Sequence, residues 1–157
     1  MNKRGFFSGR TDTPLAPEGF EQSQQAGLVA KKLDIDLIVC SPMERARETA
    51  YVIAEAIGYP VNQIVINDLF MERAFGVLEG TEFSHGMDVE GHKGVESGQA
   101  ILQRAKLGIE FLKEQPQNNI LVVSHGAIGR PLRYLLDPET DYHHSPPFQN
   151  GEIVQLV

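Results

Sequence analysis

The chain has 157 residues, 41% of them apolar, and a net charge of −7 at pH 7. This length and composition predict one soluble globular domain over residues 1–157, with a core of its own. No apolar run approaches the roughly 20 residues needed to cross a bilayer, and no signal peptide is expected at the N-terminus. The negative charge argues against nucleic acid as the main partner, and a single cysteine excludes an internal disulfide. We therefore expect a cytoplasmic protein.

The first predicted elements are a helix and a strand. Pro17 and Glu18 are typical of a helix start, and apolar spacing continues that helix to about Lys32. Residues 36–40 read Asp-Leu-Ile-Val-Cys and predict a short buried strand. Cys40 ends this strand, so we interpret it as a core residue rather than a nucleophile.

A second helix is predicted directly after this strand. Ser41 is expected to be its N-cap, with Pro42 at the first helical position. Glu44 follows three residues after Ser41 and completes a capping-box pattern. The helix should end at Gly58, because glycine commonly terminates helices in the left-handed conformation.

The remaining pattern continues to alternate between strands and helices. Residues 61–66 are β-rich, and residues 97–114 predict a long amphipathic helix. Residues 119–124 predict a strand, 127–136 a helix, and 152–157 a last strand. Two segments rich in glycine, histidine and proline are interpreted as loops, residues 80–95 and 137–150. The alternation predicts a three-layer α/β fold, with a mostly parallel sheet and helices on both faces.

His125 lies where the most regular strand ends. Residues 120–126 read Ile-Leu-Val-Val-Ser-His-Gly, an apolar run that leads directly to the histidine. Ligands of open α/β sheets bind outside the carboxyl ends of the strands. Histidine also titrates near neutral pH, which suits catalysis. A structural histidine is the alternative for this residue taken alone.

Arg45 is a candidate anion ligand at the next strand end along the chain. It falls in the first helical turn after residues 36–40, where the helix N-terminus and a guanidinium can face the same anion. The planar guanidinium binds phosphate oxygens in a bidentate way. Arg47 lies two positions on and is expected to be a surface charge, which is also the alternative for Arg45 alone.

Glu72 is a candidate general acid. It follows an apolar segment and lies between Met71 and Phe75, and partly apolar surroundings raise the pKa of a carboxyl group. An ordinary loop acid is the alternative interpretation. Glu79 lies nearer a polar turn and is the weaker candidate.

Several motifs together resemble the histidine phosphatase superfamily, which has the phosphoglycerate mutase-like fold. The matching strings are S-P-M-E-R-A-R-E-T-A, E-R-A-F-G-V-L-E-G, G-V-E-S, V-V-S-H-G and N-G-E-I. The segment from Asn2 to Gly19 is similar to the family's substrate loop and first helix. The resemblance covers essentially the whole chain, with the motifs in the family's order.

This resemblance implies a covalent phosphohistidine mechanism. Arg45 is similar to the phosphate-clamping arginine, Glu72 to the acid/base and His125 to the second histidine of the family. Asn2 matches an asparagine that contacts phosphate, and Ser8 with Gly9 matches the loop beside the substrate. The resemblance implies a small phosphorylated substrate and neither a metal nor another cofactor.

The family's Arg-His-Gly motif, which carries the nucleophilic histidine, does not occur in this sequence. In the family it stands a few residues before the position of Asn2, at the end of the first strand. We therefore expect that this strand is missing and that the native protein has a longer N-terminus. The other histidines, His85, His92, His143 and His144, fall in loop composition and do not replace it.

Two functional classes remain open at this point. The first is a phosphatase for small phosphate monoesters, active in its full-length form but inactive or very weak as the 157-residue chain. The second is a phosphate-binding pseudoenzyme. A phosphoglycerate mutase is less favoured. The family's mutases usually carry a longer insert at this position, whereas the segment between Gly80 and Ser97 is short. The sequence leaves the substrate and the oligomeric state open.

Overall fold

The sheet of this protein consists of three parallel strands. The computed structural model describes residues 5–84, 87–137, 139 and 146–157. Within them, β1 (Leu37–Cys40) lies between β2 (Val65–Ile66) and β3 (Ile120–Val123). Val39 of the central strand is opposite Val65 on one side and Val122 on the other. All three strands therefore end at the same edge of the sheet.

Four helices cover the two faces of the sheet. Their bounds are α1 (Pro17–Ala30), α2 (Glu44–Ile57), α3 (Gly98–Lys113) and α4 (Gly126–Leu136). One core contains residues of α1 and α2, and the other contains residues of α3 and α4. The predicted three-layer α/β architecture is confirmed. None of the helices among the described residues is long and apolar enough to cross a membrane.

The central strand supplies both cores because its side chains alternate between the two faces of the sheet. Ile38 and Cys40 pack into the core beneath α1 and α2, whereas Leu37 and Val39 pack beneath α3 and α4. All four side chains are buried. A strand that is buried on both faces explains why residues 37–40 are continuously apolar in the sequence.

The predicted start of the second helix is wrong by two residues. Ser41 and Pro42 precede the helix, and the N-cap is Met43. The carboxylate of Asp12, in a distant loop, accepts a hydrogen bond from the backbone N–H of Glu44, the first helical residue, at 2.9 Å. Met43 still has an extended backbone, with φ −66° and ψ 138°, so the helical conformation begins only at Glu44. The predicted end is confirmed, since Gly58 has a φ of 72°.

Two strand predictions are also corrected. The β-rich segment divides into a 3-10 turn at Val61–Gln63 and the two-residue strand β2. Residues 152–157 form no strand, although Ile153 packs against the α1–α2 core. An extended segment becomes a strand only when its backbone groups find a neighbour. Among the described residues, β3 is an edge strand and does not pair with this segment.

Phe70 anchors the segment that leads from the sheet to Glu72. Its ring is fully buried among α3 and the sheet, 6.4 Å from the ring of Phe111. We expect Phe70→Ala to lower the free energy of unfolding by about 3–5 kcal/mol, because the truncation leaves a cavity. Urea denaturation measures the change. Phe20→Ala removes a half-exposed ring from α1 and should cost less than about 1 kcal/mol.

Candidate active site

The three candidate residues from the sequence lie beyond the carboxyl ends of the three strands. Arg45 is in the first turn of α2, which follows β1, and His125 is the N-cap of α4, which follows β3. Glu72 follows β2 through a 3-10 turn at Asp68–Phe70. Two hydrogen bonds connect these segments. The carboxylate of Glu72 accepts the backbone N–H of Ala127 in α4, and the His125 ring contacts the hydroxyl of Ser41, the residue after β1.

His125 is held in a neutral form. Its Nε2 atom lies 2.8 Å from the hydroxyl oxygen of Ser41. Burial, together with the positive charges of Arg45 and Arg104, lowers the pKa of His125 to about 3. A neutral imidazole has one N–H donor and one unprotonated nitrogen. His125 can therefore donate one hydrogen bond to an anion without carrying charge.

Glu72 is held at the N-terminus of α4. Its carboxylate accepts the backbone N–H groups of Arg73 at 2.8 Å and Ala127 at 3.1 Å. Burial raises the pKa of Glu72, although these hydrogen bonds and the charge of Arg45 act in the opposite direction. A raised pKa favours the protonated form of the carboxyl group, and this form can transfer a proton to a leaving group.

Arg45 is fixed by the loop that precedes α1. Its Nη2 atom donates to the carbonyl oxygen of Gly9 at 2.9 Å, and Nη1 donates to that of Thr11 at 3.2 Å. Burial lowers the pKa of Arg45, and the negative charges of Glu72, Asp12 and Glu79 oppose this effect. Because an arginine side chain stays protonated in proteins, the guanidinium of Arg45 is a fixed cation. Its remaining N–H groups can bind an anion.

The loop with Ser8 and Gly9 lies against Arg45. Gly9 has a φ of 50°, and a Cβ atom there would lie 2.2 Å from Oε1 of Glu79. Glycine is therefore required at this position, both for the left-handed backbone and for the close approach. Ser8 accepts the backbone N–H of Thr11 at 3.2 Å through its carbonyl oxygen. Asn2, the other predicted phosphate ligand, lies outside the described residues.

Glu79 organises this loop, a role that the sequence did not reveal. Its carboxylate accepts the backbone N–H groups of Arg10 and Thr11, both at 2.9 Å, and the hydroxyl of Thr11 at 2.6 Å. It also accepts the backbone N–H of Phe75 at 3.1 Å. These hydrogen bonds lower the pKa of Glu79 despite partial burial. Glu79 thus holds the loop whose carbonyl groups orient Arg45.

An ion-pair cluster supports the segment before Glu72. Arg104 of α3 donates to the carbonyl oxygens of Leu69 at 2.9 Å and Met71 at 2.7 Å. Its guanidinium also forms a salt bridge with Glu96 at 2.7 Å. Because these partners are 8 to 35 residues apart along the chain, no local pattern in the sequence indicates them.

Cys40 and His92, the other described residues that could supply a nucleophile, do not join the site. Cys40 is fully buried, and burial raises the pKa of its thiol to about 12. His92 is exposed in a loop, and His85, His143 and His144 lie outside the described residues. Within the described part of the chain, no three His, Cys, Asp or Glu side chains form a group able to hold a metal ion.

The loop contacts give a first test of how Arg45 is oriented. We expect Glu79→Ala to weaken the binding of inorganic phosphate roughly tenfold, because the carbonyl groups of Gly9 and Thr11 lose their support. Isothermal titration calorimetry measures this change. Glu82→Ala, at an exposed position nearby, should leave binding unchanged. Equal binding by the two variants would contradict the role of Glu79.

The lowered pKa of His125 gives a second test, on stability. The unfolded chain has the ordinary pKa of 6.5, so it binds a proton that the folded chain refuses down to about pH 3. Folding stability therefore falls as the pH drops from 6.5 towards 3. His125→Gln should reduce this loss by an amount on the order of a few kcal/mol in pH-dependent urea denaturation. Parallel pH curves for the two proteins would contradict the buried neutral histidine.

Comparisons with known proteins identify the family of this chain. A sequence model described as the histidine phosphatase superfamily (branch 1) matches residues 1–157. The adenosylcobalamin/alpha-ribazole phosphatase of Escherichia coli is 30% identical over 143 residues, which are 81% of this chain and 68% of that protein. The phosphatase PhoE of Bacillus subtilis, described as uncharacterised, is 31% identical over 76% of this chain, and the match spans 62% of its own length.

The solved structures show the same fold. The crystal structure of the alpha-ribazole phosphatase from Shigella flexneri matches with a TM-score of 0.76 and 29% identity, over 96% of this chain and 81% of that one. The match of the family model over the full sequence and the identity to the Escherichia coli phosphatase are each sufficient to assign the family. The chain therefore belongs to the histidine phosphatase superfamily.

Proposed function

We propose that this protein is a phosphatase for small phosphate monoesters that works through a phosphohistidine. The observation that carries the proposal is the convergence of Arg45, Glu72 and His125 beyond the ends of three parallel strands. This set combines a fixed cation, a carboxyl group with a raised pKa and a neutral N–H donor. Such groups can bind the oxygens of a phosphoryl group and protonate its leaving group.

Each residue has a distinct role in this proposal. Arg45 binds two oxygens of the phosphoryl group, and His125 donates a hydrogen bond to a third. Glu72 gives its proton to the oxygen of the leaving group as the bond between phosphorus and that oxygen breaks. Asn2, Ser8 and Gly9 contribute to the same pocket, as the resemblance to the family implies.

The nucleophile in this mechanism is the histidine of an Arg-His-Gly motif, as in the family. Its unprotonated nitrogen attacks phosphorus, and the alcohol leaves with the proton from Glu72. Water then attacks the phosphohistidine, Glu72 takes back a proton, and inorganic phosphate is released. Since the 157 residues contain no Arg-His-Gly, we propose that this polypeptide alone binds phosphate but turns over esters very weakly or not at all. Removal of a nucleophile from such a set costs on the order of 10⁴–10⁶ in rate.

Assays on the 157-residue chain test this proposal. We expect saturable binding of inorganic phosphate, no hydrolysis of p-nitrophenyl phosphate above the background rate, and no acid-labile phosphoryl label on the protein. Clear turnover by this chain would show that the nucleophile lies within the 157 residues. Absence of phosphate binding would contradict the site itself.

The pseudoenzyme remains the second candidate, because the described histidines provide no replacement nucleophile near the site. A form of the protein that includes an Arg-His-Gly strand separates the two candidates. Hydrolysis by that form supports the phosphatase, whereas phosphate binding without hydrolysis supports the pseudoenzyme. The in-frame codons upstream of Met1 determine whether such a form exists in nature.

The substrate is proposed only as a class, a small phosphorylated molecule in the cytoplasm. The names of the relatives support this class, since the Escherichia coli and Shigella flexneri proteins are alpha-ribazole phosphatases. A mutase is less favoured because only a short loop lies between Gly80 and Ser97. Specificity in shared folds depends on such loops rather than on the fold.

A further inference from the structure

The hydroxyl group of Ser41 is buried beside His125. Ser41 is fully buried, and its backbone N–H donates to Val123 of β3 at 3.0 Å. Its carbonyl oxygen lies 3.1 Å from the thiol of Cys40. The backbone of Ser41 is therefore held by β3 on its N–H side and by the thiol of Cys40 on its carbonyl side.

The hydrogen-bond partners of this hydroxyl determine where its proton goes. Ser41 Oγ accepts the backbone N–H of Met43 at 3.3 Å, so one of its two lone pairs is used. The other partner among the described residues is Nε2 of His125, at 2.8 Å. A buried hydroxyl group that donates to no acceptor destabilises the folded protein by about 1–3 kcal/mol. In the described part of the chain, Nε2 is the available acceptor.

The charge state of His125 agrees with this direction of donation. A protonated imidazole could not accept the hydroxyl proton, because both of its nitrogens are donors. Burial and the nearby arginines lower the pKa of His125, so the ring is neutral at pH 7. Its Nε2 atom is then free to accept from Ser41, and its own proton must lie on Nδ1.

We propose that Ser41 is a positioning residue that fixes His125 in the tautomer with its proton on Nδ1, by donating its own hydroxyl proton to Nε2. Nδ1–H is then the N–H group of His125 that remains for a bound phosphoryl group. This inference rests on the proposed function only for the identity of that acceptor, because the tautomer itself follows from the contact between Ser41 and His125.

The tautomer can be observed directly in the 157-residue protein. Long-range ¹H–¹⁵N correlation spectra of histidine-labelled protein at pH 7 separate protonated from unprotonated ring nitrogens. The signals of His125 are assigned by their loss in His125→Gln. We expect the wild-type ring to carry its proton on Nδ1. A proton on Nε2 would overturn the proposal, and because this result needs no variant of Ser41, it decides even if Ser41→Ala fails to fold.

Two matched variants test the role of the hydroxyl. Ser41→Ala should move the proton of His125 to Nε2 or produce a mixture of tautomers. It should also weaken phosphate binding roughly three- to tenfold. Ser124→Ala removes the neighbouring hydroxyl, which donates to Phe70 at 2.7 Å, and should leave the His125 pattern unchanged. An unchanged pattern in Ser41→Ala would contradict the proposal.

The same spectra distinguish this proposal from the proposed function. Added inorganic phosphate should shift the Nδ1 signal of wild-type His125. The expected tautomer without any effect of phosphate would support the role of Ser41 and contradict the phosphate site. A phosphate-dependent shift with the proton on Nε2 would support the site and contradict the role of Ser41.

Discussion

Arg45→Ala is expected to weaken the binding of inorganic phosphate at least about 30-fold. Loss of one partner from a buried, hydrogen-bonded charge pair costs about 2–5 kcal/mol, and each 1.4 kcal/mol corresponds to a factor of ten. The guanidinium is held in place by the carbonyl groups of Gly9 and Thr11. Titration calorimetry of the purified 157-residue chain measures the effect.

Arg47→Ala is the matched control for this variant. Arg47 lies on the same helix, and its guanidinium is exposed and 5.8 Å from the ring centre of Tyr51. The substitution removes the same charge but no contact with the pocket, so phosphate binding should change less than twofold. Arg45→Lys should fall between the two, because it keeps the charge and loses the planar fork. A similar loss in the Arg45 and Arg47 variants would indicate a general charge effect and contradict the clamp.

Glu72→Gln should slow catalysis rather than binding, in a form of the protein that carries an Arg-His-Gly strand. Loss of a general acid lowers kcat by roughly 10²–10⁴-fold when the leaving alcohol needs a proton. The effect should be much smaller for p-nitrophenyl phosphate, whose phenolate leaves without one. The glutamine side chain can still accept the N–H groups of Arg73 and Ala127, so the local structure should be preserved. Steady-state kinetics with an alkyl and an aryl phosphate measure this difference.

Glu110→Gln controls for the loss of a carboxylate, because this residue is exposed on α3. It should leave kcat unchanged with both substrates. Phosphate binding by Glu72→Gln should remain within about threefold of wild type. If Arg45→Ala and Glu72→Gln weakened binding and turnover equally, the separate roles of clamp and acid would be wrong.

The parts of the fold that were predictable are those encoded over a few neighbouring residues. The apolar run at residues 120–123 predicted β3, and Gly58 predicted the end of α2. The same local signals placed Arg45 and His125 at the ends of adjacent strands. These predictions are correct because each structure restricts the residue types locally. A strand buried on both faces of the sheet requires apolar residues, and a left-handed helix end favours glycine.

The errors arise where a distant residue decides the structure. Ser41 has the sequence pattern of an N-cap, but its hydroxyl bonds His125 and its backbone continues the ladder with β3. Asp12 caps the helix instead, from 32 residues away. Glu79 resembled an ordinary turn acid, yet it binds a loop nearly 70 residues earlier in the chain. No window of sequence contains both partners of such contacts.

A crystal structure of the 157-residue chain with bound phosphate would show directly whether Arg45 and His125 form a phosphate site. We expect a phosphate ion beyond the carboxyl ends of the three strands, with its oxygens within hydrogen-bond distance of the Arg45 guanidinium and Nδ1 of His125. The carboxyl group of Glu72 should lie on the side open to a leaving group. A phosphate bound elsewhere, or no phosphate beside Arg45 and His125 at concentrations that saturate binding in solution, would show that these residues do not form the site.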